Sequence, residues 1–200
     1  MADSLLVIRS GITDYDLQGR IRGTLDIPLC AEGVAEAKAA ATAVAGAPPE
    51  ALYTAPDGCS LETSRHIARA CGLRARRLAD LSNLDQGLWQ GMLVDELRVK
   101  QPRLYRQWQD NPWAVSPPEG ELLEDACSRV ESALERLLRR HPTGRVAVVV
   151  PAPLDQIIRW LTAGKPPGDL WARGPAESAI VEVPLTSQWK RRGAMEKARL

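Results

Sequence analysis

The side chains best suited to chemistry in this chain stand at or just after short apolar runs. Arg9 and Ser10 close the run Leu5–Arg9, and Cys59 follows the run Ala51–Thr54. An arginine binds anions, whereas a serine hydroxyl becomes a nucleophile only beside a suitable base. No histidine is suitably placed in the sequence, so Ser10 lacks the base that nucleophilic attack requires.

An alternation of strands and helices must position these side chains. Apolar, β-prone runs predict four strands, and apolar residues at helical spacing predict helices between them. The strands are Leu5–Arg9, Ala51–Thr54, Val146–Val150 and Ala179–Val183, and the helices cover 31–44, 61–71, 121–140 and 154–162. This order predicts an α/β fold with a mainly parallel sheet, whose ligand pocket lies beyond the C-terminal strand ends. Three such ends are Ser10, Ala55 and Pro151.

Several motifs follow one another in an order that resembles the histidine phosphatase superfamily, also called the phosphoglycerate mutase-like family. They are the run Leu5–Arg9 with Gly11 and Thr13, then Gly19, Arg20, Gly23, Asp26, Pro28 and Leu29, and later Leu84, Asp85, Gly87, Trp89 and Pro117–Glu121. The resemblance covers most of residues 5–160. It implies a three-layer α/β/α sandwich forming a single domain over 1–200, with a small helical cap inserted at about 84–120.

The same resemblance assigns family roles to particular positions. Ser10 stands where the family has its phospho-accepting histidine, Ala152 where it has a second histidine, and Asn83 where it has an acidic residue. Cys59 stands at a second arginine position and Asp16 at a phosphate-contacting asparagine position. The predicted ligand-binding positions are Arg9, Ser10, Asp16, Arg20, Cys59, Asn83 and Ala152. A pairing of Asp16 with Arg9 would leave this pocket close to neutral, and no metal site or cofactor is predicted.

These replacements favour a catalytically degenerate protein, a pseudophosphatase whose former active-site pocket binds a small molecule or a protein partner. One alternative is an enzyme of the same fold repurposed for another reaction, with Arg9 binding an anion, Ser10 orienting the substrate and Asp16 acting as a general base. Another is residual phosphatase or mutase activity by an altered mechanism, for instance through Cys59. A further alternative is a purely structural subunit of a complex.

Cys59 and Arg65 also have the spacing of a cysteine phosphatase loop. We interpret this as coincidence, because the intervening residues look helical and lack the glycines that let backbone amides converge on phosphate. Three tryptophans in the predicted cap, Trp89, Trp108 and Trp113, are interpreted as filling the core beneath it. The alternative is an aromatic wall for a flat or apolar ligand.

Bulk composition excludes several classes of partner. The formal net charge of +1 over 200 residues argues against nucleic-acid binding. No stretch is apolar enough for a membrane span, and no signal-peptide pattern opens the sequence. Four scattered cysteines form no metal-binding or disulfide pattern: Cys30, Cys59, Cys71 and Cys127. These features predict a protein of the reducing cytoplasm.

Overall fold

A computed structural model of the protein describes residues 2–111, 113, 115–164, 170–171 and 179–185. Its strands are β1 (Ser4–Arg9), β2 (Ala51–Thr54), β3 (Ala75–Arg77), β4 (Arg145–Val150) and β5 (Ile180–Pro184). Its α-helices are α1 (Asp14–Gln18), α2 (Ala31–Ala45), α3 (Gly58–Cys71), α4 (Val94–Lys100), α5 (Pro102–Asp110), α6 (Leu123–Arg139) and α7 (Leu154–Ala163). Two short 3₁₀ helices cover Ala79–Leu81 and Gly87–Trp89.

The strands form one sheet in the order β3-β2-β4-β1-β5. Neighbouring strands are parallel except β5, which runs antiparallel to β1. This confirms the predicted α/β fold with a mainly parallel sheet. Arg9 at the end of β1 is level with Val150 at the end of β4. The loops that follow these two strands therefore leave the sheet side by side.

Alternate residues of the central strands enter two separate apolar cores. Leu5 and Val7 of β1 belong to a large core with α6 and α7, whereas Leu6 and Ile8 belong to a smaller core with α2 and α3. Successive side chains of a strand point to opposite faces, so both faces of the sheet are covered by helices. The predicted three-layer sandwich is thus confirmed.

The structure differs from the predicted elements at the start of α3 and in one additional strand. Helix α3 begins three residues earlier than predicted, because the carboxylate of Asp57 caps it by accepting from the Ser60 amide at 3.0 Å. Strand β3 was not predicted from the sequence. Two of its three residues are exposed arginines, Arg76 and Arg77, so the apolar pattern that marks a strand is missing.

The segment predicted as a cap contains the second 3₁₀ helix together with α4 and α5. Trp89 and Trp108 are almost fully buried there, with their rings edge to face at 5.8 Å. These two tryptophans therefore fill the core, as predicted. Trp113 is 42% exposed and packs against Trp160. Within the described ranges, no helix combines the length and apolar character needed to cross a membrane.

Candidate functional site

The ends of β1 and β2 bring Ser10 and Cys59 together. The Ser10 hydroxyl oxygen lies 3.3 Å from the Cys59 sulfur, and both side chains are buried. Thr63 fixes this approach, since its hydroxyl accepts from the Gly11 amide at 3.1 Å and donates to the Cys59 carbonyl at 2.8 Å. The first turn of α3 is thereby tied to the loop that carries Ser10.

A close backbone contact holds the other side of the same loop. A Cβ atom on Gly11 would collide with the Gly33 carbonyl of α2, and a Cβ on Gly33 would collide with the Ile12 carbonyl. Only glycines allow two backbones to approach this closely. The position of Ser10 therefore depends on both glycines.

The centre of the predicted pocket is occupied by the guanidinium of Arg22. This side chain is 7% exposed. Its Nη1 donates to the Cys59 sulfur at 3.2 Å and to an Asp16 carboxylate oxygen at 3.5 Å, and its Nη2 donates to the Ala152 carbonyl at 3.3 Å. Arg22 thus joins three of the predicted ligand-binding positions, which lie in α1, in the first turn of α3 and in the loop after β4.

The expected pairing of Asp16 with Arg9 is wrong, because the ion pair that Asp16 forms in the described structure is with Arg22. The Asp16 carboxylate also accepts from the Thr13 amide and the Thr13 hydroxyl, each at 2.7 Å. These contacts form a capping box at the start of α1. The cap fixes the carboxylate where the Arg22 guanidinium reaches it.

Asn83 and Arg22 both donate to the Ala152 carbonyl. The Asn83 side-chain amide donates to the carbonyls of Gly23 and Ala152 at 2.9 and 3.1 Å. Arg129 of α6 holds the Asn83 segment in place by donating to the carbonyls of Asp80 and Ser82 at 2.8 and 2.9 Å. Asn83 therefore acts as a cross-link between two loops, with both of its amide protons on backbone oxygens.

The Cys59 thiol is held in its protonated form. Burial raises the pKa of Cys59 to about 12; Arg22 lowers this pKa, whereas the neighbouring Asp57 carboxylate raises it. The thiol donates to that carboxylate at 2.8 Å. Reactive cysteines have depressed pKa values, so this environment is the opposite of an activated nucleophile.

Arg9 lies near a charged pair that the sequence reasoning missed. Asp155 is fully buried in the first turn of α7 and forms an ion pair with Arg159. Burial raises the pKa of the Asp155 carboxyl, while the positive charges of Arg159 and Arg9 lower it. The available signal was an aspartate four residues before an arginine in an otherwise apolar helix.

Arg20, another predicted ligand-binding residue, contacts different partners. Its guanidinium donates to the Gln18 side chain at 2.7 Å and to the Gly91 carbonyl at 2.6 Å. It therefore links the end of α1 to the 84–120 segment. Arg22, two residues later, makes the contacts with Asp16, Cys59 and Ala152, whereas the sequence analysis had selected Arg20.

Internal carboxylates accept hydrogen bonds from many of the donors around this pocket. Asp16 accepts from Arg22, Asp57 accepts from the Cys59 thiol and the Ser60 amide, and Asp26 accepts from the Gly58 amide at 2.6 Å. No cluster of three or more histidine, cysteine or acidic side chains that could hold a metal ion occurs in the part of the chain described.

Sequence comparison finds relatives over most of the chain. The family model described as "Histidine phosphatase superfamily (branch 1)" matches residues 5–191. Phosphoserine phosphatase 1 of Hydrogenobacter thermophilus is 31% identical over 145 residues, covering 72% of this chain and 69% of that protein. A probable phosphoglycerate mutase of Serratia proteamaculans is 28% identical over 144 residues, covering 72% of this chain and 66% of that protein.

Structural comparison agrees on the fold. A mycobacterial glucosyl-3-phosphoglycerate phosphatase, solved as a complex with VO3, superposes with a TM-score of 0.79 at 23% identity, covering 90% of this chain and 92% of that one. The YhfR protein of Bacillus stearothermophilus superposes with a TM-score of 0.78 at 22% identity, covering 91% and 90% of the two chains. The phosphoglycerate mutase-like sandwich is therefore the fold of this chain.

Proposed function

Since this chain belongs to the histidine phosphatase superfamily, we propose that it is a pseudophosphatase of the cytoplasm whose former active-site pocket binds a small molecule or a protein partner. The observation that carries this proposal is the set of side chains around Arg22. Ser10, Cys59, Asn83 and Ala152 converge there, and they include no imidazole and no ionised thiol. A phosphohistidine cannot form on any of these four residues.

Neither alternative enzyme activity gains support from the geometry. Asp16 is a poor general base, since one of its carboxylate oxygens already accepts from Thr13 twice and from Arg22. Attack by Cys59 requires a thiolate. Burial raises the pKa of Cys59 to about 12, so the thiol stays protonated at neutral pH.

A phosphatase assay tests the proposal directly. Purified protein is assayed with p-nitrophenyl phosphate, O-phosphoserine and 3-phosphoglycerate, the last two chosen from the names of the relatives. Arg9→Ala is the pocket control, and Cys59→Ser is compared with Cys71→Ser, which alters a thiol at the far end of the same helix. We expect the wild type to show no turnover above Arg9→Ala. Turnover that Arg9→Ala abolishes would overturn the proposal.

A reconstructed variant shows whether the fold still supports the family chemistry. Ser10→His, Cys59→Arg and Ala152→His are combined, which supplies a nucleophile, a guanidinium and a second imidazole at the positions that the family resemblance assigns. Turnover in this variant and none in the wild type would locate the loss of activity in these side chains.

A further inference from the structure

Arg22 is a buried cation that makes only single-point contacts in the described structure. Its three hydrogen bonds in the described structure measure 3.2, 3.3 and 3.5 Å, and the longest of them is the ion pair with Asp16. A guanidinium carries five donors and binds carboxylates and phosphates best through two parallel bonds. The contact with Asp16 has neither the length nor the geometry of such a pair.

The position of this guanidinium matters because of what it touches. Arg22 Nη1 is 3.2 Å from the sulfur of Cys59, the residue that the family resemblance aligns with a second arginine. The Ser10 hydroxyl lies 3.3 Å from the same sulfur. A positive charge is thus supplied beside Ser10 from the loop after α1 instead of from α3.

Asp16 is a fixed neighbour of that charge. Its carboxylate is held by the backbone amide and the hydroxyl of Thr13, and 26% of its side chain is exposed. Helix α1 therefore presents a negative charge that cannot swing away without breaking its own cap. An ion that approaches Arg22 must compete with this carboxylate, and a phosphate dianion is repelled by Asp16 and by Asp57.

We propose that Arg22 is the anion-binding residue of this pocket and that Asp16 is its specificity-determining residue. The Asp16 carboxylate pairs with the Arg22 guanidinium and so excludes phosphate dianions from it. The inference rests on the proposed function, in that the pocket serves binding and not phosphoryl transfer. The anions that the pocket admits are singly charged. Neutralising Asp16 leaves the guanidinium available and turns the pocket into a phosphate site.

Phosphate titration of four proteins tests this inference. Inorganic phosphate is titrated by calorimetry into the wild type, Asp16→Asn, Arg22→Gln and the double variant. We expect Asp16→Asn to bind phosphate at least tenfold more tightly than the wild type, and the double variant to lose that gain. Asp14→Asn removes the same charge from an exposed position on the same helix and is expected to change nothing.

Two results would overturn the inference. One is equal phosphate affinity in the wild type and Asp16→Asn. The other is a gain in phosphate affinity that does not depend on the pairing of Asp16 with Arg22. A gain that persists in the double variant would show that Arg22 does not bind the phosphate, and an equal gain in Asp14→Asn would show that the contact of Asp16 with Arg22 is not its cause. Circular dichroism checks that each variant is folded, and Asp16→Ser, which keeps a capping oxygen, replaces Asp16→Asn if that variant is not.

Different measurements test the role of Asp16 and the proposed function, so either can be overturned without the other. Arg9-dependent turnover of a phosphate ester by the wild type overturns the proposed function, whatever Asp16→Asn binds. An unchanged phosphate affinity in Asp16→Asn overturns the role of Asp16, whether or not the wild type has activity.

Discussion

The residues that frame the pocket and the residues that line its interior differ in what determines their type, although the same segments carry both. The frame consists of tight backbone contacts, such as Gly11 against Gly33, and of partly buried polar links, such as Arg129 on the 80–83 segment. The interior consists of small or neutral groups around Arg22, with carboxylates as partners. Packing dictates the residue types of the frame, whereas only chemistry dictated those of the interior. The proposed loss of the reaction would therefore leave the fold intact.

The largest effect is expected from breaking the frame at Gly33. A methyl group at this position collides with the Ile12 carbonyl, which belongs to backbone and cannot rotate away. We expect Gly33→Ala to lower the free energy of unfolding by about 3 kcal/mol, measured by urea denaturation.

Gly46→Ala is the matched control at the end of the same helix. Gly46 has right-handed helical angles, and its new methyl group would meet only the Ala43 carbonyl, at 3.6 Å. We expect a change of less than about 1 kcal/mol, in the stabilising direction. Equal losses in the two variants would show that the close approach of Gly33 to Ile12 is not what stabilises the frame.

A smaller effect is expected from removing Arg129. Its guanidinium donates to the carbonyls of Asp80 and Ser82 and forms an ion pair with Glu121 at 2.8 Å. Arg129→Met leaves these acceptors without their donor, and we expect a loss of about 2 kcal/mol in unfolding free energy. Thermal and urea denaturation measure it.

Arg139→Met provides the comparison on the same helix. Arg139 is 46% exposed and pairs with Glu135 one turn away, so its loss should cost less than about 0.5 kcal/mol. A loss at Arg139 that equals the loss at Arg129 would mean that the partly buried links of the frame contribute no more than a surface ion pair.

The difference between frame and interior also explains how much the sequence could predict. The apolar runs of β1, β2 and β4 and the spacing of α6 identify the sheet and its layers, because burial on a regular element leaves a periodic pattern. The convergence of Ser10, Cys59 and Ala152 followed from their places after strand ends. The pairing of Asp16 with Arg22 did not follow, since it depends on how a loop without periodicity folds back. Asp155 was missed for a different reason, because it lies in a helix whose apolar pattern dominates.

Within the pocket interior, the buried Cys59 thiol is expected to affect the stability of the protein mainly at high pH. At pH 7 its thiol is a neutral group, so Cys59→Ser should change the unfolding free energy by less than about 1 kcal/mol. Above pH 9 the unfolded chain releases the Cys59 proton at its ordinary pKa of 9.0, while the folded chain keeps it up to about 12. The unfolded state then binds fewer protons than the folded state, and stability falls as the pH rises between these two values.

The measurement is the difference in unfolding free energy between wild type and Cys59→Ser at pH 8 and at pH 10. We expect the wild type to lose about 1 kcal/mol more than the variant over this interval, since one unit of pKa shift corresponds to about 1.4 kcal/mol. Cys71→Ser removes a half-buried thiol from the same helix and should cancel less of the loss. If Cys59→Ser follows the wild type at both pH values, the thiol titrates normally in the folded protein. The pocket interior would then be open enough to ionise it, and the contrast with the closed frame would not hold.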